Sequence, residues 1–328
     1  LRYYKIDITN PANGQPVLPK SLQGLGITSL LPNGATNPGA LNVELDLPIF
    51  MAATPDGQAL VRIWGLGIEA TGNAFNLNGM DITVFGGMSK GLPLANPAQQ
   101  GILMKGTIQQ AFGNWMGLDQ TVDLIVGPEM GTHDEPKNIV FNWVAKTSMA
   151  SAIQATLTTA FPGVQQTINI NPNLILNHDQ VGYHYSLLEF AAVVKAFSQQ
   201  IIGGDYPGVD IVYDGVTLDV HDGSSKPKPK AISFQDMLGQ PTWIDFGTIQ
   251  AKFVMRGDLH LNDVITLPTS LVTTSQQAFT QFQDKTTFSG NYQIIKMRHY
   301  GNYKQPDAAS WNTTVNLILV PKEDSSGG

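Results

Sequence analysis

Six histidines are the chain's first candidates for chemistry near neutral pH, and their neighbours decide what each could do. Thr132-His133-Asp134-Glu135 sets an imidazole beside two carboxylates, the side chains of a metal site or an acid–base pair. Ligands must converge in space, however, and consecutive loop residues point in different directions. His178-Asp179, His184, His221-Asp222, and His260 with Asp258 and Asp263 show none of the HxH, HxxxH or HExxH spacings that put ligands on one face. His299, in Arg298-His299-Tyr300-Gly301, has the setting of a strand end. The Thr132–Glu135 cluster therefore reads as a solvated loop, and the other histidines as structural.

The other reactive patterns fare no better. Glu44 and Asp46 share one face of a strand, about 6–7 Å apart by strand rise, as in any half-exposed strand. Gly65-Leu66-Gly67 lacks the third glycine and the following helix of a dinucleotide loop, and no nucleophile elbow or phosphate loop is present. Arg256-Gly257-Asp258 spells an integrin-binding tripeptide inside a strand-to-turn pattern and is discounted. No catalytic, cofactor-binding or metal-ligating residue is therefore expected, and the chain does not read as an enzyme.

Composition narrows the partners. A formal net charge of −7 without any basic run disfavours tight nucleic-acid binding, which draws its affinity from neutralised phosphates. The absence of cysteine excludes disulfides, thiolate nucleophiles and cysteine metal sites. No apolar stretch is long enough to cross a bilayer: Leu187–Ile202 is broken by Glu189, Lys195 and Ser-Gln-Gln. No charged-then-apolar leader opens the sequence, so no secretory signal is expected.

The elements that must position these residues are mostly strands. Tyr4, Ile6 and Ile8 alternate with Lys5, Asp7 and Thr9, the period of a half-buried strand. Further strands are expected at Val43–Leu47, Ala59–Glu69, Met80–Phe85, Leu103–Phe112 and Thr121–Val126, with a surface loop from Gly24 to Ala40. Thr147-Ser148 can cap a helix carrying Met149, Ile153, Leu157 and Phe161, which Pro162-Gly163 ends. Ser186 and Glu189 have capping-box spacing before a second helix with Leu187, Phe190, Val194, Phe197 and Ile201 on its stripe. Each helix is followed by Pro-Gly-Val and an alternating segment, so 140–222 reads as two helix–turn–strand units. Asp222–Lys230 is a polar, proline-alternating linker. Strands resume at Trp243–Arg256, Val264–Leu267, Tyr292–Arg298 and Trp311–Leu319.

Some phrases go beyond pattern. Leu238-Gly239-Gln240-Pro241-Thr242-Trp243, Met255-Arg256-Gly257-Asp258 and Asp263-Val264-Ile265-Thr266-Leu267-Pro268 resemble a recurring segment of the central baseplate hub proteins of contractile-tailed bacteriophages. Gly290-Asn291-Tyr292-Gln293-Ile294, His299-Tyr300-Gly301 and Trp311-Asn312-Thr313 resemble the last barrel of those hubs, and Ser186–Gly223 resembles their middle region. The likeness covers about two thirds of the chain and is weakest before residue 60; the loop at 24–40 has no counterpart.

The resemblance implies a mainly β chain in which two tail-tube-like β-barrels flank an α/β domain. The expected layout is 1–135 first barrel, 136–230 α/β domain and linker, 231–322 second barrel, 323–328 flexible tail. It further implies a virion protein of the tail baseplate, assembled in the host cytoplasm. Its homotrimer joins the hexameric tail tube protein to the trimeric central spike protein beside baseplate wedge proteins, without membrane insertion. DNA passes through such a ring without specific binding, so lumen-facing surfaces should be acidic or neutral-polar, with Asn312, Thr314 and Asn316 as liners. Two alternatives stay open: a single-barrel tail tube or distal tail ring protein, and a glycan-binding or glycan-cleaving β-protein using Trp115, Trp143 and Trp243.

Overall fold

The computed structural model describes residues 1–19, 22, 26–50, 58–89, 96–127, 136–213, 215–223, 228–268, 288 and 290–320. The first β-region contains β1 (Arg2–Thr9), β2 (Ile27–Thr28), β3 (Asn42–Phe50) and β4 (Ala59–Trp64), then the short helix α1 (Ile68–Gly72). It continues through β5 (Asp81–Met88), β6 (Gly101–Met116) and β7 (Asp119–Gly127). Period-two alternation explains the strands: Ala59, Val61 and Ile63 of β4 are buried beside Val122, Leu124 and Val126 of β7, while Arg62 and Asp123 turn away.

Two local expectations need correcting here. The strand expected through Glu69 stops at Trp64, because Gly65 and Gly67 take positive φ and turn the chain into α1. The segment 24–40 is more than a surface loop. Its Ile27–Thr28 pairs with β1, Ile27 enters the core, and the buried Ser29 exchanges hydrogen bonds with the backbone of Tyr4.

The middle region holds β8 (Ile139–Trp143), α2 (Met149–Ala160), β9 (Gln165–Asn169), β10 (Gln180–His184), α3 (Leu187–Ile202), β11 (Asp210–Tyr213) and β12 (Thr217–His221). Ser148 caps α2 by accepting from the Ser151 amide at 3.2 Å, and Ser186 caps α3 from Glu189 at the same distance. The helices close over a core that includes Phe141, Trp143, Phe161 and Phe190. Beneath them lie a two-stranded β10–β8 sheet and a three-stranded β11–β12–β9 sheet.

The last region contains β13 (Lys230–Ala231), β14 (Thr242–Asp245), β15 (Thr248–Val254), β16 (Val264–Leu267), β17 (Gly290–Asn302) and β18 (Trp311–Leu319). The single strand expected from Trp243 to Arg256 is a hairpin, because Gly247 with φ 72° turns the chain between β14 and β15. Both ends of the expected linker are fastened. Asp222 accepts from the Asn171 amide and the Tyr206 hydroxyl, and Lys230 Nζ reaches Asp263 at 2.7 Å. Residues 224–227 and the tail 323–328 lie outside the described residues.

Among the described residues, one sheet of 13 strands runs through both β-regions, with the path β14-β15-β18-β17-β3-β4-β7-β6-β5-β1-β2 and β13-β16 branching at β17. The strand order repeats. In the first region β3, β4, β6 and β7 lie side by side as β3-β4-β7-β6, and in the last β14, β15, β17 and β18 lie as β14-β15-β18-β17. Labelled by chain order, both are a-b-d-c. The copies are joined c to a by an antiparallel ladder from Lys296↔Phe50 to Asn302↔Glu44. Each c strand also changes partner midway: β6 pairs with β5 over Gly101–Thr107, and β17 with β16 over Gly290–Gln293. A β-bulge follows in both, between Ile108 and Gln110 and between Ile294 and Lys296.

Three further contacts lock the junction. Arg256, only 4% exposed, forms ion pairs with Asp258 at 2.7 Å and Asp236 at 3.4 Å, while Gln99 Nε2 donates to Asp236 at 2.8 Å. Gly101 and Gly257 meet backbone to backbone; a Cβ on Gly257 would lie 2.7 Å from the Gly101 carbonyl carbon. On the other side, Arg2 donates to the carbonyls of Asn302 at 2.6 Å, Tyr303, Gln305 and Asp307, and lies over the Trp311 ring. The cores interpenetrate accordingly: Val254, Met255 and Trp311 belong to the first cluster, Ile49 and Val212 to the last. Gly257→Ala is expected to lower stability by about 1–3 kcal/mol through forced separation of the two backbones. Thermal denaturation against wild type measures this; an unchanged Tm would show that the junction yields.

Candidate functional site

The sheet's face away from the cores is polar and carries interleaved charges. Arg62 of β4 makes a two-pronged contact with Asp123 of β7, Nε and Nη2 each 2.8 Å from a carboxylate oxygen, and reaches Glu44 of β3 at 3.5 Å. Asp123 also accepts from Asn114 of β6 at 3.1 Å, and Glu44 from Asn302 of β17 at 3.0 Å. Arg298 of β17 clasps Asp46 of β3 at 2.7 and 2.6 Å. These contacts form a ribbon across β6, β7, β4, β3 and β17, bonded side chain to side chain. The carboxylate hydrogen bonds hold both guanidinium groups above their ordinary pKa, Asp123 acting on Arg62 and Asp46 on Arg298, with burial opposing.

Beyond Arg298 the face opens into a shallow trough of about 510 Å³ that contains Lys252, Lys296, Arg298, Asn312, Thr314 and Asn316. Asn312, Thr314 and Asn316 thus do face away from the core strand residues Val315 and Leu317. The surroundings are not simply acidic or neutral-polar, because lysines and arginine stand with them. Acidic Glu44, Asp46, Asp119 and Asp123 share the face with basic Arg62, Lys252, Lys296 and Arg298.

Apolar side chains are exposed on the two hairpins at the ends of this eight-strand run. Phe112, Trp115, Met116 and Leu118 stand out on β6–β7, and Trp243, Ile244 and Phe246 on β14–β15. Leu118 and Phe246, at the two turns, are fully exposed. Among the described residues, β14 is hydrogen-bonded to β15 alone, and β6 beyond its bulge to β7 alone of the strands. Trp143 is not part of any such surface: it is buried, with Nε1 donating to the Thr147 carbonyl at 2.9 Å.

The sequence's reactive candidates are scattered. His133 and Glu135 lie outside the described residues. His299 is buried and hydrogen-bonded to Thr313 at 2.9 Å, and His184 packs on Phe190. Asp179 accepts from the Ala145 amide, Asp222 is taken up by Asn171 and Tyr206, and Asp258 pairs with Arg256. No group of three potential metal ligands occurs among the described residues. Sequence reasoning missed Arg62 and Asp123. Their signal was a lone charge within an apolar strand, Val61-Arg62-Ile63 and Val122-Asp123-Leu124, each demanding a partner across the sheet.

No family model and no curated protein sequence matches the chain. Among solved structures, it is similar to the tail protein from Neisseria meningitidis MC58, at 9% identity and TM-score 0.46, over 97% of this chain and 96% of that one. It is similar to the 43 kDa tail protein of prophage MuSo2 from Shewanella oneidensis at 7% identity and TM-score 0.47, over 97% and 98% of the two chains. In the Francisella PdpA–VgrG complex, 60% of one chain matches all of this one, at 7% identity and TM-score 0.44. The fold itself defines a mainly β chain with a smaller α/β part and a repeated sheet.

The ribbon has a measurable signature. A double-mutant cycle of Arg62→Met and Asp123→Asn is expected to give a coupling of about 1–2 kcal/mol in urea unfolding, shrinking with added salt. Additive effects of the two substitutions would show that the pair is ornamental to stability.

Proposed function

We propose that the chain is a structural subunit of the baseplate hub of a contractile phage tail. In this reading three copies form a ring that joins the hexameric tail tube to the trimeric spike and lets DNA pass. The observation that carries the reading is the repeated a-b-d-c order within one sheet. Two like modules per chain give a trimer six modules, which reconciles a six-fold tube with a three-fold spike. The sequence resemblance to hub proteins points the same way.

The polar face suits a conduit. Phosphates bind where cations stand unpaired, and counterion release then makes them stick. Arg62 and Arg298 are each committed to carboxylates 2.6–2.8 Å away, so their charge is largely answered within the sheet. A single-barrel tube or distal ring protein fits less well, since the module occurs twice. A glycan site also fits less well: Trp143 is core, Trp115 and Trp243 stand on hairpins, and Glu44 and Asp46 are held by arginines.

Native mass spectrometry and electron microscopy of the purified chain test the reading. A trimer with pseudo-six-fold appearance is expected; a chain that stays monomeric at micromolar concentration, or closes as a hexamer, contradicts it. His133→Ala and Glu135→Ala should leave phage infectivity near wild type, and the purified chain should not degrade peptidoglycan. Hydrolysis at enzymatic rates would refute the non-enzymatic role.

A further inference from the structure

The junction inside the chain has a donor edge and an acceptor edge, and the same two edges recur, unpartnered by any other described strand, at the ends of the run. Within the chain, the c strand of the last region, β17, pairs beyond its bulge with the a strand of the first, β3. What remains at the ends is the c strand of the first region, β6, and the a strand of the last, β14. We propose that the copies join by repeating this internal ladder: β6 of one copy, beyond its bulge, pairs antiparallel with β14 of the next. The proposal rests on the ring reading above and supplies its contact.

The register follows from cross-strand partners. In the first region the first residue after the bulge, Gln110, is opposite Ile125, which is opposite Leu60, which is opposite Asp46. In the last region the corresponding row is Lys296, Asn316, Gln250 and Thr242. Thr242 is therefore the counterpart of Asp46. Counting from the bulges, Asn114 is the counterpart of Tyr300. Since Tyr300 pairs with Asp46 inside the chain, Asn114 of one copy should lie opposite Thr242 of the next. The same register brings Phe112 toward Ile244, two exposed apolar side chains on the edges concerned.

Physical chemistry favours this occupant over others. A sheet edge with exposed apolar side chains is a template for another strand. An edge complementary to the chain's own other edge makes a heterologous contact, which closes into a ring when the rotation allows. The second contact needs no new chemistry, because the first already exists between β17 and β3. Asn78 caps the near end of the β6 edge, its Oδ1 accepting from the Ala111 amide at 2.8 Å, and so leaves the part around Asn114 for pairing.

The cysteine-free chain permits a direct test. Opposed strand residues are close enough for a disulfide. Asn114→Cys with Thr242→Cys, oxidised in the assembled protein, should give covalent dimers and trimers on a denaturing gel, and neither single variant should give the trimer ladder. Asp46→Cys with Tyr300→Cys is the internal control and should link within one chain. Phe112→Lys and Ile244→Lys, both at exposed positions, provide a second measurement. Each should weaken trimerisation at least tenfold while leaving the unfolding curve of the separated chain in place. Trimers that form normally, yet link only through the control pair and tolerate both lysines, overturn the joint while leaving the ring intact. A chain that never assembles overturns the ring reading itself, and the joint falls with it.

Discussion

The ladder between β3 and β17 is the constraint on which the rest of the architecture depends. It turns two sheets into one, and it does so through residues about 250 positions apart in sequence, as in the Arg298–Asp46 pair. The ladder's apolar side is divided between the two cores: Leu45 and Leu47 of β3 belong to the first cluster, while Ile49 of β3 joins Ile294 and Met297 of β17 in the last. A slip of one residue would turn both sets outward, so burial on two sides fixes the register. The Gly101–Gly257 contact and the buried Gln99–Asp236 hydrogen bond act in the same sense, since neither tolerates a shift of the two regions. Removing Asp236 would leave a buried guanidinium with one partner fewer, which is far costlier than losing a surface pair.

Local pattern made most strands legible, because alternation in β1, β4 and β18 reflects a core on one side and water on the other. Both main helices announced their starts through Ser148 and Ser186, whose side chains satisfy amides that no helix can satisfy for itself. What the sequence concealed is non-local. Nothing in Ile27–Thr28 says that it will add to β1, and nothing in Trp243–Arg256 separates one long strand from a hairpin except Gly247 and its φ. The site was harder still. Asn312, Thr314 and Asn316 could be placed on a polar face from alternation alone, but their basic neighbours come from β15 and β17 and appear only when strands are ordered.

Net charge proved a weak guide to surface charge. The chain is acidic overall, yet the sheet's polar face mixes signs so closely that Arg62 touches two carboxylates and Asp123 is met by Arg62 and Asn114. Cross-strand pairing explains this. Like charges directly opposite one another on a sheet repel, so a face that must carry charge over several strands alternates it. Paired charges also attract passing polyanions less than the same cations left alone, and salt screens what remains. A non-adhesive face can thus be built by pairing as well as by excess acid.

A repeated module that joins c to a within one chain necessarily leaves an a edge and a c edge at its ends, so duplication of this kind creates the aggregation problem that assembly must solve. The ends of this sheet are shaped for restraint. β14 is only four residues long, follows Pro241, which has no amide hydrogen to offer, and carries a bulge between Trp243 and Asp245. Short, bulged, proline-flanked edges pair poorly with arbitrary strands. β6 is protected differently, at the near end of its edge, where the Asn78 side chain occupies the Ala111 amide. Indiscriminate strand addition is thereby discouraged at both ends, whereas a partner that arrives in the register of the internal ladder meets matched apolar side chains and unpaired backbone together. Specificity at such an edge comes from satisfying several modest requirements at once, not from any one strong contact, which is how a sheet can remain separate in dilute solution and still close with its own kind.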